Sequence, residues 1–190
     1  MHYLCKIYIF DAQKHHFMKQ FYTVLVLAFT IITANAQIVN IPDANFKAKL
    51  LEASPSNSIA KNLAGYNFKI DANNDGEIQV SEANQVSSLS VSNALIASLE
   101  GISSFTSLYK LICSYNQLTT LNLSSQPNIA ELRCEHNQIN ALTINTLSSL
   151  NTLYCNNNQL TSLNLSGCSA LGVLICNDNL INVLTLPTSG

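Results

Sequence analysis

Four consecutive stretches decide the fold: LYKLICSYNQLTTLNLSSQPN (residues 108–128), IAELRCEHNQINALTINTLSS (129–149), LNTLYCNNNQLTSLNLSGCSA (150–170) and LGVLICNDNLINVLTLPTSG (171–190). They align without gaps at a spacing of 21 residues, with Cys113, Cys134, Cys155 and Cys176 at one phase and Asn116, Asn137, Asn158 and Asn179 at another. An earlier stretch from Val86, VSSLSVSNALIASLEGISSFTS, is one residue longer and carries Val91 and Ala94 at those phases, as an edge repeat does. A single turn of such a chain cannot bury its own apolar residues, so neighbouring turns must stack and share one core.

The shared phrase LxxLxCxxNxLxxLxL resembles the leucine-rich repeat, and the resemblance covers residues 86–190. It implies a solenoid of stacked 21–22 residue coils with a parallel β-sheet on the concave face. Alternation along the LxC stretch sends Leu111 and Cys113, or Leu132 and Cys134, inward. The phased asparagines are expected to satisfy backbone groups where the chain turns, because buried N–H and C=O groups need partners. A second apolar alternation follows (Leu118, Leu121, Leu123 and their equivalents), and the segments after it, such as SSQPN and SGCSA, are too short for a stable helix. The convex side is therefore expected to be mostly strand and turn.

Phased cysteines in an exported chain admit three readings. In-register side chains on stacked coils point in parallel, which suits a disulfide torsion poorly. Structural zinc needs converging ligands, whereas one cysteine per coil makes a straight column. The balance favours small apolar thiols that fill the core. Cys168 is out of phase, falls in a turn, and is expected at the surface.

Ahead of the repeats, residues 37–85 read as an amino-terminal cap. Pro42-Asp43 followed by ANFKAKLLEA looks like a capped helix, with Phe46, Leu50 and Leu51 covering one face. Further on, DANNDGEIQVSE (71–82) matches the D-x-[DN]-x-[DN]-G-x5-E loop at every specified position. Asp71, Asn73 and Asp75 would offer side-chain oxygens and Glu77 its carbonyl. Glu82 would close the site with both carboxylate oxygens, and Gln79 would act through water. Gly76 permits the sharp turn and Ile78 is expected to point into the core. The loop resembles an EF-hand or dockerin-type site with one departure: GYNFKI before it reads as extended rather than as an incoming helix. Calcium is thus the expected cofactor, fastening the cap. The alternative is a solvated acidic turn.

From Met18, MKQFYTVLVLAFTIITANAQ has a basic start, an apolar run and a small-x-small site at Ala34-Asn35-Ala36, which together read as a secretory signal peptide cut before Gln37. The apolar run is shorter than the roughly 20 residues needed to span a bilayer, so no membrane insertion is expected after cleavage. Residues 1–17 would bury that signal inside the chain, so Met18 is read as the true start. The mature part has Lys47, Lys49, Lys61, Lys69, Lys110 and Arg133 against ten acidic residues, a net charge of -4. With no basic patch to neutralise phosphates, nucleic acid is not an expected partner.

Catalysis is not expected either. The mature chain has one histidine, His136, and lacks G-x-S-x-G, H-E-x-x-H and phosphate-cradling glycine motifs. The outward columns of the sheet instead read Ser90, Ile112, Arg133, Tyr154, Ile175, flanked by Ser88, Lys110, Glu131, Thr152, Val173 and by Ser92, Ser114, Glu135, Asn156, Asn177. Ile112, Tyr154 and Ile175 form a candidate apolar centre, with Lys110, Glu131, Arg133 and Glu135 at one side, as a ligand-binding surface. Signal peptide, acidic cap and leucine-rich coils together resemble the internalin-like proteins of the bacterial cell surface. That resemblance implies an extracellular module adhering to a protein or glycan. The chain reaches Gly190 as its fifth coil finishes, without a capping segment, and is expected to be a fragment of a longer protein. Two other readings remain open: a targeting or spacer region of a longer exported hydrolase, and a purely structural, calcium-stabilised element of the cell envelope.

Overall fold

The computed structural model describes residues 37–187, so the expected signal peptide (18–36) and the residues before it lie outside the described part. The cap holds helix α1 (Ala44–Leu51), strand β1 (Ala60–Asn62) and the one-turn helix α2 (Val80–Ala83). The first coil follows with β2 (Val86–Ser90) and a 3-10 turn at Ile102–Ser104. Each later coil contributes two three-residue strands: β3 (Lys110–Ile112) and β4 (Thr120–Asn122), β5 (Glu131–Arg133) and β6 (Ala141–Thr143), β7 (Thr152–Tyr154) and β8 (Ser162–Asn164), β9 (Val173–Ile175) and β10 (Val183–Thr185).

A six-stranded sheet runs β1-β2-β3-β5-β7-β9 along the solenoid. Its coil strands are parallel, and β1 joins β2 antiparallel. Register follows the repeat, pairing Leu89 with Leu111, Leu111 with Leu132, Leu132 with Leu153 and Leu153 with Leu174. On the opposite side β4 pairs with β6 and β8 with β10, also parallel, so that side is strand and turn as the sequence predicts. This is a leucine-rich-repeat β-solenoid of about five turns with few helices. No helix among the described residues is long and apolar enough to cross a membrane.

One continuous core extends from Val39 in the cap to Cys168 in the fourth coil. The inward leucines Leu111, Leu132 and Leu153 are fully buried, each stabilising by about 2 kcal/mol. Cys113, Cys134 and Cys155 beside them are equally buried and carry free thiols. Burial pushes the Cys155 thiol up to about 12, and raises Cys113 and Cys134 well above the ordinary thiol value too. These groups therefore act as apolar fillers.

Cys168 is a correction to the sequence reading: it is fully buried, and its thiol donates to the Ile144 carbonyl at 3.3 Å. It occupies a column of its own with Phe105, Gln126 and Leu147, all fully buried where the chain swings into the next coil. The four share burial but no chemistry, which hides the column from a motif search.

The asparagines form the expected ladder. Asn158 donates through Nδ2 to the Cys134 carbonyl (3.0 Å) and to its own coil's Cys155 carbonyl (3.1 Å), while its Oδ1 accepts from Ile139 N–H (2.9 Å). Asn137 and Asn179 repeat the pattern one coil away on either side. Asn116 makes it against the first coil, donating to Val91 and Cys113 carbonyls and accepting from Ala94 and Ile96 N–H groups. One amide thus serves two coils, which makes the stack cooperative.

In the cap, Asp43 is the N-cap of α1, accepting from Phe46 N–H at 2.9 Å, and Phe46 and Leu50 are fully buried as predicted. Its other oxygen accepts from Ala97 and Ser98 N–H groups of the first coil at 2.8 and 2.9 Å. Burial pushes this carboxyl up, but the N–H donors of Phe46, Ala97, Ser98 and Asn45 outweigh that and hold it below the usual carboxylate value. The first coil's extra residue falls near Gly101, which adopts φ +98 against the strap of residues 39–41. A Cβ there would stand 2.6 Å from the Asn40 carbonyl oxygen, so only glycine lets cap and coil meet this closely.

Candidate functional site

The loop 71–82 follows an extended segment, as expected, and leads into α2, which is a single turn. Asn74 and Gly76 take left-handed conformations (φ 62 and 79), which curl the chain. Asp71 is buried, and its two oxygens accept from the Asp75 N–H (3.2 Å) and Gly76 N–H (3.4 Å). Asn73 Oδ1 accepts from Asp75 N–H at 3.1 Å, and Asp75 Oδ1 from Glu77 N–H at 2.8 Å. The bond from Glu77 N–H, helped by Asn73, Gln79 and the charge of Lys47, holds Asp75 below its ordinary value despite some desolvation. Glu82 reaches back across the loop, accepting from Ala72 N–H at 2.8 Å through one oxygen and from Gln79 N–H at 3.0 Å through the other. First and last loop positions are therefore neighbours.

Two features of the loop were not foreseen. Gln79 spends its side chain on Asp75, donating to Oδ2 at 2.7 Å, rather than facing a solvent position. Glu77 pairs its carboxylate with Lys47 of α1 at 2.6 Å, which ties loop to helix and leaves only its carbonyl for other work. Ile78 is fully buried as expected, and Val39 N–H donates to its carbonyl at 2.8 Å while Val80 N–H donates to Gln37 at 2.8 Å. The loop thereby pins the strap on which the first coil rests.

The donor types and their order suit a hard, oxygen-seeking cation. In the described arrangement, however, the carboxylates are engaged by backbone N–H groups, and no three acidic, histidine or cysteine side chains among the described residues converge as a ligand set. A cation would have to draw Glu82 away from Ala72.

The second candidate lies on the long sheet. Strand register places Lys110 beside Glu131, Ile112 beside Arg133, Arg133 beside Tyr154, and Tyr154 beside Ile175, so the predicted columns are real neighbours. Their side chains touch in sequence. Glu131 accepts from Lys110 Nζ at 2.7 Å through one oxygen and from Arg133 Nε at 2.7 Å through the other, and the Arg133 guanidinium carbon lies 4.6 Å from the Tyr154 ring centroid. Burial pushes Glu131 up, but the bonds and charges of Lys110 and Arg133 outweigh it and hold the carboxyl below its ordinary value.

The expected apolar centre is divided, because Arg133 stands between Ile112 and Tyr154 in the column. Ile175 is 38% exposed and its neighbour Val173 42%, so the apolar part lies toward the fifth coil. Glu135 belongs to the flanking column, and its Oε2 is buried with no hydrogen-bond partner among the described residues.

Sequence reasoning passed over one further feature at the edge where the strands end. Tyr115 and His136 stack with ring centroids 4.3 Å apart and planes 12° from parallel, both on left-handed backbone (φ 55). Asn93, Asn157 and Asp178 hold the same conformation at the same phase (φ 52 to 55). That run of Asn and Asp was the available signal, since those residues tolerate the left-handed region best.

No protein-family model matches this chain, and no curated protein matches it in sequence. Among solved structures it is similar to the functional domain of InlJ from Listeria monocytogenes, described as including a cysteine ladder, with a TM-score of 0.60 and 30% identity over 75% of this chain. It is also similar in fold to an internalin, inlF, from Listeria monocytogenes, with a TM-score of 0.55 and 20% identity over 81% of this chain. The chain spans 29% of the first structure and 46% of the second, less than half of either. Cys113, Cys134, Cys155 and Cys176 in one column parallel the feature described for the first.

Proposed function

We propose that this chain is a secreted or cell-surface binding and adhesion module that holds a protein or glycan ligand on the exposed face of its long sheet. The observation that carries the reading is the connected chain Lys110–Glu131–Arg133–Tyr154, flanked by Ile112, Glu135 and Ile175, on strands whose backbone is held by the repeat. Side chains positioned by regular strands lose little freedom on binding, and Tyr and Arg are frequent anchors. The likeness to Listeria proteins supports the same class, and the signal-peptide reading of residues 18–36 supports export.

Catalysis has no support in the site chemistry. The thiols of Cys113, Cys134 and Cys155 are buried and raised by that burial, so these three are not ready nucleophiles. A cleft of about 300 Å³ beside β4, lined by Ser98, Glu100, Ser103, Thr120, Asn122 and Ser125 among others, offers one carboxylate and no base to pair with it.

Calcium is the proposed structural cofactor, held by Asp71, Asn73, Asp75, the Glu77 carbonyl and Glu82, where it would lock the strap of residues 37–39 beneath the first coil. Thermal melting tests this part. Calcium at about 100 times its dissociation constant should stabilise by about 2.7 kcal/mol, with the gain absent in Asp71→Ala and Glu82→Ala. A melting temperature indifferent to calcium and chelator rejects it. For the sheet face, arrays of extracellular proteins and glycans should yield a ligand whose binding the Arg133→Ala/Tyr154→Ala double variant abolishes with melting unchanged. Full binding by that variant, or a ligand-free array, removes the reading.

A further inference from the structure

On the sheet face, Arg133 keeps most of its hydrogen-bonding capacity unspent. A guanidinium has five N–H donors, and among the described residues Arg133 uses only Nε, toward Glu131. Its guanidinium carbon lies over the Tyr154 ring, and its side chain is 40% exposed. The ion pair and the ring contact together restrain the fork, so a partner orders little when it binds. Lys110 differs, since its ammonium is a point charge already engaged by Glu131.

The complement of a fixed guanidinium fork is a planar two-oxygen anion bound through paired hydrogen bonds. Glu131 already lies against Arg133 on this face, which disfavours a doubly charged phosphate or a dense polyanion against a single carboxylate. The surroundings then choose the bearer of that carboxylate. Along the same column lie Tyr154 and Ile175, with Val173 beside them, and the two aliphatic side chains are exposed. A sugar acid would set hydroxyl groups against aliphatics that cannot bond them. A polypeptide supplies an acidic and an apolar side chain together.

We infer that Arg133 is the specificity residue of the sheet face, receiving an Asp or Glu carboxylate of a polypeptide partner whose neighbouring apolar side chain rests on Ile175 and Val173. The two contacts are two strand spacings apart, about 10 Å. This rests on the reading of the sheet as the binding face.

Selection of random displayed peptides against the full chain tests it. Enriched peptides should carry an acidic position followed within a few residues by an apolar one. The best of them, made synthetically, should bind Arg133→Gln and Arg133→Lys about tenfold or more weakly, as should its own amide analogue on the wild type. Ile175→Ser should weaken it several-fold. Arg133→Lys keeps the charge and loses the fork, so retained binding there overturns the proposal, as do enriched peptides without an acidic position. If glycans alone bind, and Tyr154→Ala abolishes that binding, the carboxylate-bearing peptide is wrong while the binding face stands. If neither peptides, proteins nor glycans bind, both fall.

Discussion

Two parts of this molecule build tight turns from short polar side chains, and they do so with opposite electrostatics. In the coils, each ladder asparagine is neutral and is used from both ends, its nitrogen donating to two carbonyls and its oxygen accepting an N–H. In the cap loop, Asp71, Asp75 and Glu82 only accept, so every backbone bond they satisfy leaves a negative charge behind. The ladder is complete without help and can be buried, with Asn158 only 9% exposed. The loop stays near water, or needs a cation, because carboxylates cannot be buried together unpaired. Neutral turns suit a repeated core, and charged turns suit a clasp that can be fastened.

The largest effect expected from this contrast is that of Asn158→Asp. The substitution is nearly isosteric, but it removes the donor and points a carboxylate oxygen at the Cys134 and Cys155 carbonyls. Orphaning those acceptors and repelling them should destabilise by roughly 3 kcal/mol or more. Chemical denaturation would show it as a lower midpoint at all calcium levels. A loss below about 1 kcal/mol would mean that the ladder is ornamental to stability.

Alkali should separate the two parts next. Burial keeps the thiols of Cys113, Cys134 and Cys155 protonated in the fold well beyond the point where free cysteine ionises, whereas residues 37–85 contain no cysteine. A group with its folded value raised contributes stability that is intact below its unfolded value and lost as pH rises toward the folded one. The window for Cys155 therefore runs from about 9 to about 12. Within it, each such thiol should cost about 1.4 kcal/mol per pH unit, and Cys155→Ala should flatten the profile by that amount whatever it does at neutral pH. Unfolding free energies at a series of alkaline pH values would check the slope, and an unchanged slope in the variant contradicts the assignment.

Legibility in the sequence also divides along this line. The coils were readable because the 21-residue spacing constrains every column at once: cysteines inward, asparagines at the turn, Arg133 beside Tyr154. What stayed hidden there was whatever the repeat does not mark chemically, such as the buried column of Phe105, Gln126, Leu147 and Cys168, or the Tyr115–His136 stack on left-handed backbone. The division of the apolar centre by Arg133 was visible in the sequence as a column but became meaningful only with side-chain distances. In the cap, nothing repeats, so local signals had to suffice. They placed α1 and Ile78, and they could not show Gln79 bonded to Asp75, or Glu82 reaching Ala72, because those contacts depend on how the loop curls.

The smallest expected effect sharpens the comparison most, because it repeats the largest one's chemistry in the other region. Asn73→Asp replaces an exposed amide that donates to Asp75 Oδ2 at 2.7 Å with a fifth carboxylate in the loop. In chelator, the lost bond and added repulsion should lower stability by less than about 1 kcal/mol, since the site is solvated. With calcium present, the extra charge becomes a ligand and should raise affinity several-fold, so the variant melts above the wild type. Melting in both conditions gives the sign directly. An effect that keeps one sign with and without calcium would show that the loop, like the ladder, is a neutral-style turn with no cation to answer to, and the contrast between the two regions would reduce to one of burial alone.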